Sequence, residues 1–234
     1  EKYALEALAE AKLLESAVMM PTQTEGGNYA ISRLAPNTIA YSLWGNDNMR
    51  YHQALVTNQL ITSEDREVMR AQWNEMRAEG EDVYVGADYN AWAREYLTEQ
   101  GYTIKDSYTI GYSADPETFD VLATSQTTDS DVLVNTYDGL VEYDEMGYLQ
   151  PAIAESWEVS ADGLTYTFHL RDDAAWVDSQ GRFVANVTAD DFVAGFQHML
   201  DAAGGLEYLV QGVVVNADEY LTGTVTDFSQ VGVR

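Results

Sequence analysis

The feature that most constrains this chain is an Asp-Gly pair. It follows one short apolar run and precedes a run in which apolar and polar residues alternate. Trp157-Glu158-Val159 comes before Asp162-Gly163, and Leu164, Tyr166, Phe168 and Leu170 alternate with polar residues after it. Asp-Gly favours the tight turn that joins two antiparallel strands, and strict alternation is typical of a strand with one buried face. The sequence therefore predicts a β-hairpin across residues 157–170.

Several further elements are expected in the second half of the chain. Residues 108–112 and 231–233 are strand-like, and residues 132–140 form a predicted helix that starts at Asp129 or Ser130. Strands at 141–143 and 148–150 flank the turn 144–147. Thr188 caps a helix in a capping-box arrangement with Asp191, and Gly204-Gly205 ends it.

The first half is mainly helical. Residues 1–17 show helical spacing, and strands are predicted at residues 17–20 and 28–34. Thr62 and Asp65 form a second predicted capping box, before a helix that ends at Gly80. Its apolar stripe consists of Val68, Met69, Trp73 and Met76.

Residues 81–104 lack the composition of a flexible tether. They contain a strand-like run at 83–85 and a predicted helix from Asn90 to Gln100, with Trp92, Tyr96 and Leu97 as its apolar residues. The sequence therefore predicts that this connector folds.

The charge of the chain excludes some classes of partner. Acidic residues number 39 against 12 basic ones, which gives a net charge of −27, while 46% hydrophobic residues supply a core. Such a surface repels nucleic acid and anionic lipid headgroups, although it attracts cationic ligands. No cysteine, export signal or membrane-length apolar run is present, so the chain is expected to begin after any export signal.

No catalytic constellation stands out, so neither an enzyme nor a metal or cofactor site is expected. His52, His169 and His198 lack metal-ligand spacing, and nucleophile-elbow, phosphate-loop and dinucleotide motifs are absent from the sequence. Neighbouring carboxylates such as Glu142 and Asp144 are common by chance in so acidic a chain. A hydrolase with two facing carboxylates stays an alternative, because the sequence does not give their separation.

A series of ordered motifs in the second half resembles a known family. The runs are YDGLVEY at 137–143, LQPAIAESWE at 149–158, DGLTYTFHLR at 162–171, Trp176, and VTADDFV at 187–193. They resemble the N-terminal region of the oligopeptide- and dipeptide-binding proteins of ABC importers, the extracellular solute-binding proteins of family 5. The resemblance covers most of residues 106–234.

The first half resembles the other end of the same family. EAKLL at 10–14, AVMMP at 17–21, residues 28–36 and YSLWG at 41–45 are similar to the closing helix and returning strand of the first lobe. Three parts are expected: a C-terminal-like segment at 1–80, a structured connector at 81–105 and an N-terminal-like segment at 106–234. This inverted order is explained either by circular permutation or by the junction between tandem copies, and both segments are expected to meet in space.

The resemblance implies an α/β fold with a mixed sheet and flanking helices, one lobe of a two-lobed periplasmic-binding-protein type II-like structure. It also implies capture of a peptide outside the cell or in the periplasm, delivery to an ABC permease, and weak or no binding by one lobe. The alternatives are an interaction or scaffold module, or another solute such as an oligosaccharide or a nickel chelate. The ligand-contacting loops implied by the resemblance are Thr22, Gln23, Thr24 and Glu25, and Ser125, Gln126, Thr127, Thr128 and Asp129.

Overall fold

The structure, a computed structural model, describes residues 2–15, 32–42, 47–79, 86–112 and 114–234. The chain divides into two compact units, Glu1–Ile31 and Ser32–Arg234. In the first unit, helix α1 (Lys2–Glu15) confirms the helix predicted at the start of the chain. The strand predicted at residues 17–20 lies outside the described residues, as does most of the strand predicted at 28–34.

The second unit combines helices with short strands, which confirms the predicted α/β class. In chain order its helices and strands are α2 (Ser63–Glu79), α3 (Gly86–Glu99), α4 (Thr127–Leu133), β1 (Val141–Tyr143), β2 (Leu149–Pro151), β3 (Ala154–Val159), β4 (Tyr166–Leu170), β5 (Ala175–Val177), β6 (Phe183–Asn186), α5 (Ala189–Ala202) and α6 (Ala217–Leu221). Single turns of 3-10 helix occur at Asp47–Met49, Glu207–Leu209 and Phe228–Gln230.

The strands of the described residues form three separate antiparallel pairs, β1–β2, β3–β4 and β5–β6. This arrangement differs from the single mixed sheet that was expected. Each pair is joined by a short turn, and a short turn can join only antiparallel neighbours, whereas a parallel pair needs a long crossover. The hairpin predicted around Asp162-Gly163 is confirmed, with Val159 opposite Tyr166 and Trp157 opposite Phe168.

The alternating face of the β3–β4 hairpin is less buried than the sequence predicts. Phe168 and Leu170 are half-buried, but Leu164 is 82% exposed and Tyr166 is exposed as well. All residues of β5 and β6 are also exposed, including Trp176 and Phe183. The periodicity therefore identified the strand correctly, while the described part of the chain leaves much of its apolar face uncovered.

Helices α2 and α3 form the centre of the first core. Its buried residues are Ala35, Leu55, Ile61, Met69, Trp73, Tyr89, Ala93, Leu97, Tyr102 and Met146. Two details of the predicted helices are wrong. Val68 is exposed rather than part of the apolar stripe, and Asn90 lies inside α3, which begins four residues earlier. The predicted strand at 83–85 falls outside the described residues.

The predicted cap of α2 is completed by the side chain of Tyr102, which lies three residues after α3. The Asp65 backbone N–H donates to the Thr62 hydroxyl at 3.2 Å, as a capping box requires. The Thr62 N–H donates to the Tyr102 hydroxyl at 3.0 Å, and that hydroxyl donates to the Asp65 carboxylate at 2.6 Å. Tyr102 is therefore inserted between the two partners of the capping box and ties α3 to the start of α2.

A second core lies around α5 and α6. Its buried residues are Met199, Leu200, Val210, Ala217, Phe228 and Val231. The predicted capping box of α5 is confirmed, because the Thr188 N–H donates to the Asp191 carboxylate at 2.7 Å. Hydrogen bonds from the backbone and side chain of Thr188 lower the pKa of Asp191.

The turn between β1 and β2 enters the first core. The Trp73 indole N–H donates to the Glu145 carbonyl at 2.9 Å, and the Tyr41 N–H donates to the Asp144 carbonyl at 2.7 Å. Met146 is buried in the same cluster as Trp73. As the resemblance predicts, residues of the first half and the β1–β2 hairpin therefore lie against one another.

Three predicted elements of the second half are wrong. Residues 108–112 are irregular and are anchored instead by the Tyr108 hydroxyl, which donates to the Tyr51 carbonyl at 2.6 Å. The helix predicted at 132–140 is α4, which ends at Leu133 because the chain then turns into β1. Residues 231–233 form no strand; the Gly232 N–H donates to the Val215 carbonyl at 2.8 Å in a loop contact.

Gly147→Ala is expected to destabilise the second unit more than Gly163→Ala. Both glycines have positive φ, +88° and +72°, in hairpin turns, and alanine in this region loses roughly 1–2 kcal/mol. A Cβ on Gly147 would also lie 2.8 Å from the Tyr41 ring, whereas nothing lies within 4 Å of one on Gly163. Urea denaturation of both variants measures the difference, and equal destabilisation would contradict the turn's insertion into the core.

Tyr102→Phe is expected to cost about 1.5–3 kcal/mol of unfolding free energy, because the removed hydroxyl serves a charged carboxylate and a backbone N–H. Tyr96→Phe is the matched control, since the Tyr96 hydroxyl makes one bond to Asp65, at 2.8 Å. Bonds from Thr62 and then Tyr102 lower the pKa of Asp65. The loss of unfolding free energy in Tyr102→Phe, relative to the unmodified chain, should therefore shrink as the pH falls through the lowered pKa of Asp65. Denaturation at several pH values measures this change.

Candidate functional site

The candidate site lies where the loop before α4 meets the end of α5. A cavity of about 310 Å³ is lined there by Glu117, Thr118, Ala123, Thr124, Ser125, Gln126, Asp129 and Gly204. Three of the five residues predicted for this loop, Ser125, Gln126 and Asp129, line the cavity. Thr127 and Thr128 belong to the first turn of α4, are exposed and do not line it. Thr22, Gln23, Thr24 and Glu25 lie outside the described residues.

Asp129 fixes the shape of this loop from inside the protein. Its side chain is 1% exposed, and its carboxylate accepts the Glu117 N–H and the Thr124 hydroxyl, both at 2.7 Å. The Thr124 hydroxyl in turn accepts the Gln126 N–H at 3.1 Å. Asp129 was predicted to border a ligand, but both of its oxygens are occupied by the loop itself. Its contribution is to position Glu117 and Gln126.

The exposed part of the loop keeps free hydrogen-bonding groups. Ser125 and Gln126 are exposed, and Ser125 forms no hydrogen bond with any other described residue. The Gln126 carbonyl is used by the first turn of α4, where it accepts the Ser130 N–H at 3.0 Å. The loop therefore presents the Ser125 backbone and two polar side chains beside the cavity.

Two glycines allow α5 to approach the loop. A Cβ on Gly204 would lie 2.3 Å from the Ala123 carbonyl, and one on Gly205 would lie 2.7 Å from the Ser125 hydroxyl. The sequence identified these glycines as the end of α5, and the structure adds their close contact with the loop. His198 makes a further connection, since its Nε2 lies 2.6 Å from an Asp120 carboxylate oxygen.

Sequence reasoning missed the residues that precede the loop. Glu117 and Thr118 follow Asp115-Pro116, which the sequence marks only as a turn, and Glu117 is exposed at the cavity. A lone carboxylate in a chain with 39 acidic residues gives no signal of its own. The contact that places Glu117 runs from its N–H to Asp129, twelve residues later, and it follows no periodic pattern.

A second cavity, also about 310 Å³, lies along the contact between the two halves. Arg50, His52, Asn135, Asp138, Glu142 and Arg171 contribute its polar lining. The Arg50 side chain is only 10% exposed; it donates to the Tyr137 carbonyl at 3.0 Å and pairs with Asp138 at 3.1 Å. Arg50 therefore compensates carboxylates of its own chain and fastens the halves together.

Among the residues that the structure describes, no group of three or more His, Asp or Glu side chains is placed to hold a metal ion. None of the helices that the structure describes is long and apolar enough to cross a membrane.

Comparison with known proteins identifies relatives of the chain. The profile of the bacterial extracellular solute-binding proteins, family 5 Middle, matches residues 148–226. The oligopeptide-binding protein AliB of Streptococcus pneumoniae is 46% identical over 132 residues, which cover 56% of this chain and 20% of AliB. YgiS of Escherichia coli, named as a probable deoxycholate-binding periplasmic protein, is 36% identical over 124 residues, 52% of this chain and 22% of its own length.

A solved structure matches as well. Haemophilus influenzae OppA in complex with the peptide RPPGFSPFR is 35% identical, with a TM-score of 0.44, over 53% of this chain and 24% of that one. The chain thus spans about a fifth of the length of the curated relatives it matches. The resemblance stated from the motifs of the second half is confirmed: over residues 148–226 the chain matches the bacterial extracellular solute-binding proteins of family 5.

Proposed function

We propose that this chain is one lobe of a solute-binding protein that captures oligopeptides for an ABC importer and catalyses no reaction. The family match and the oligopeptide-binding names of relatives such as AliB support this function. On this proposal the protein works outside the cell or in the periplasm, where it hands its ligand to a membrane permease.

The observation that carries the proposal is the constrained but exposed loop at Ser125 and Gln126. Asp129 holds Glu117 and Thr124 through 2.7 Å hydrogen bonds, and Thr124 holds Gln126, while Ser125 faces the cavity without an internal partner. Preorganised backbone groups of this kind suit an extended peptide, whose own N–H and C=O groups need partners. Glu117 on the same rim offers a carboxylate to an ammonium or guanidinium group. The net charge of −27 favours cationic ligands further.

Binding by this chain alone is expected to be weak. Ligand pockets normally bury most of the ligand surface, but this cavity is an open concavity on one side of the unit. With half of the enclosing contacts missing, we expect a dissociation constant on the order of 1 mM. The uncovered apolar residues of β3–β6, such as Leu164 and Phe183, support the view that the chain is part of a larger protein.

The division into a C-terminal-like segment (1–80), a connector (81–105) and an N-terminal-like segment (106–234) is part of the same proposal. Contacts such as that of Trp73 with Glu145 support a single lobe built from both segments. Circular permutation and a tandem junction both produce this order. A scaffold module and a binder of oligosaccharides are the remaining alternatives, and the likeness to YgiS adds deoxycholate as a candidate ligand.

The test is an NMR titration of the ¹⁵N-labelled chain with RPPGFSPFR, the peptide of the OppA complex. Shifts are expected at residues 117, 125 and 126, and Glu117→Gln should weaken binding several-fold, because it removes the rim charge. The control is Glu155→Gln, which removes an exposed carboxylate of β3 and should leave the affinity unchanged.

Deoxycholate and a linear oligosaccharide are titrated in parallel. Stronger binding of either at the loop would contradict the peptide proposal. Peptide-induced shifts only at residues distant from the cavity, or none up to about 10 mM, well above the expected dissociation constant, would also overturn it. The spectrum itself reports whether each variant is folded, so loss of binding and loss of fold are distinguished.

A further inference from the structure

Glu145 is buried at the contact between the two halves of the chain. Its side chain is 1% exposed, in a protein whose other carboxylates are mostly solvated. It lies in the β1–β2 turn, and its carbonyl oxygen accepts the Trp73 indole N–H. Any change at its carboxyl group therefore acts on the turn that joins the halves.

The surroundings of this carboxyl group supply too few donors for a carboxylate. Its Oε1 is buried and has no hydrogen-bond partner among the described residues. The backbone N–H groups of Glu145 itself and of Asn90 in α3 interact with the carboxyl group but leave Oε1 unpaired. Burying an ionised carboxyl group with an unpaired oxygen is strongly unfavourable. A protonated carboxyl group removes the charge and adds an O–H donor.

The charges around Glu145 do not compensate it. Asp144 is the neighbouring carboxylate in the turn, and Tyr89 is the facing hydroxyl on α3. On α2, the positive charge of Arg70 interacts with the Tyr89 hydroxyl. The Arg77 guanidinium lies over the rings of Tyr41 and Trp73, 4.8 and 5.0 Å from their centroids. Neither arginine forms an ion pair with Glu145 in the described part of the chain. Burial, with a smaller contribution from Asp144, raises the pKa of Glu145 to about 7.

We propose that Glu145 is a proton-dependent switch between the two halves: the β1–β2 turn packs against α2 and α3 with this carboxyl group protonated, and its ionisation loosens the turn. The pH dependence has a defined sign. The folded chain keeps a proton that the unfolded chain releases above the ordinary carboxyl pKa of 4.5. The stabilisation is complete below that pH and declines as the pH rises to about 7. Over this interval the unfolding constant rises by up to about tenfold per pH unit.

The test compares the unfolding constants of the full chain and of Glu145→Gln from pH 5 to pH 8. Glutamine has the same shape and cannot ionise, so the variant should lose the one-proton dependence and be the more stable protein at pH 8. Glu155→Gln, on the exposed edge of β3, is the matched control and should keep the dependence. Equal pH slopes for the chain and Glu145→Gln would overturn the proposal.

A measurement on the unmodified chain does not depend on a variant that folds. In a ¹³C titration of the glutamate carboxyl groups, one resonance should titrate near pH 7, and that resonance should be missing in Glu145→Gln. The Trp73 indole N–H should lose protection above that pH, measured as its exchange rate relative to that of a free indole at the same pH, while the protection of the Trp157 indole in β3 should stay constant. Titration of every glutamate near its ordinary pKa, or unchanged protection of the Trp73 indole, would rule the switch out.

Discussion

Insertion of the β1–β2 turn into the first core is the interaction on which the rest of the second unit depends. Residues 32–104 provide two helices and a loop, but their core includes Met146, which comes from the other half of the chain. The Trp73 indole and the Tyr41 N–H reach across to carbonyls of that turn. Without the turn, two buried donors lose their acceptors and the core loses a side chain, so both halves depend on each other for stability.

The same turn contains two adjacent buried carboxyl groups with opposite surroundings. The Asp144 carboxylate accepts the N–H groups of Met146 and Tyr148 and the Gln150 side-chain amide, at 2.7 to 3.0 Å. It shapes the turn as a carboxylate should, through donors close in sequence. Glu145 points into the contact with α3, where donors are scarce. The hydrogen bonds of Asp144 come from its own turn, whereas the carboxyl group of Glu145 lies against the opposite half of the chain. Only the protonation of Glu145 is therefore linked to the contact between the halves.

The sequence predicted what is encoded locally. The α5 capping box and the Asp-Gly hairpin rest on residues close in sequence and are both present, whereas the Thr62–Asp65 pair of α2 makes only one of the two capping-box bonds. Tyr102 completes the α2 cap from 40 residues away, and no periodicity announces such a contact. At the candidate site the resemblance implied a ligand contact for Asp129, yet its carboxylate supports the loop from inside, and Glu117 was missed because its position depends on that support. The alternation of apolar and polar residues predicted β4. Whether the apolar face of β4 is buried depends on what packs against it, and a short-range sequence pattern does not give that information.

The division between a supporting core and an exposed rim bears on which ligands so acidic a chain can attract. Few carboxyl groups of the described residues are buried, and the buried Arg50 pairs with Asp138, so the net charge of −27 falls mainly on solvated surface. A field of that sign raises the local concentration of cationic ligands, while specific contacts must come from a few ordered groups. The loop at Ser125 and Gln126 offers such groups, because Asp129 orders it through Thr124 and leaves these two exposed side chains available. On the proposed peptide-binding function, selectivity depends on which residues cover the rim, and affinity on how much of the peptide surface they bury.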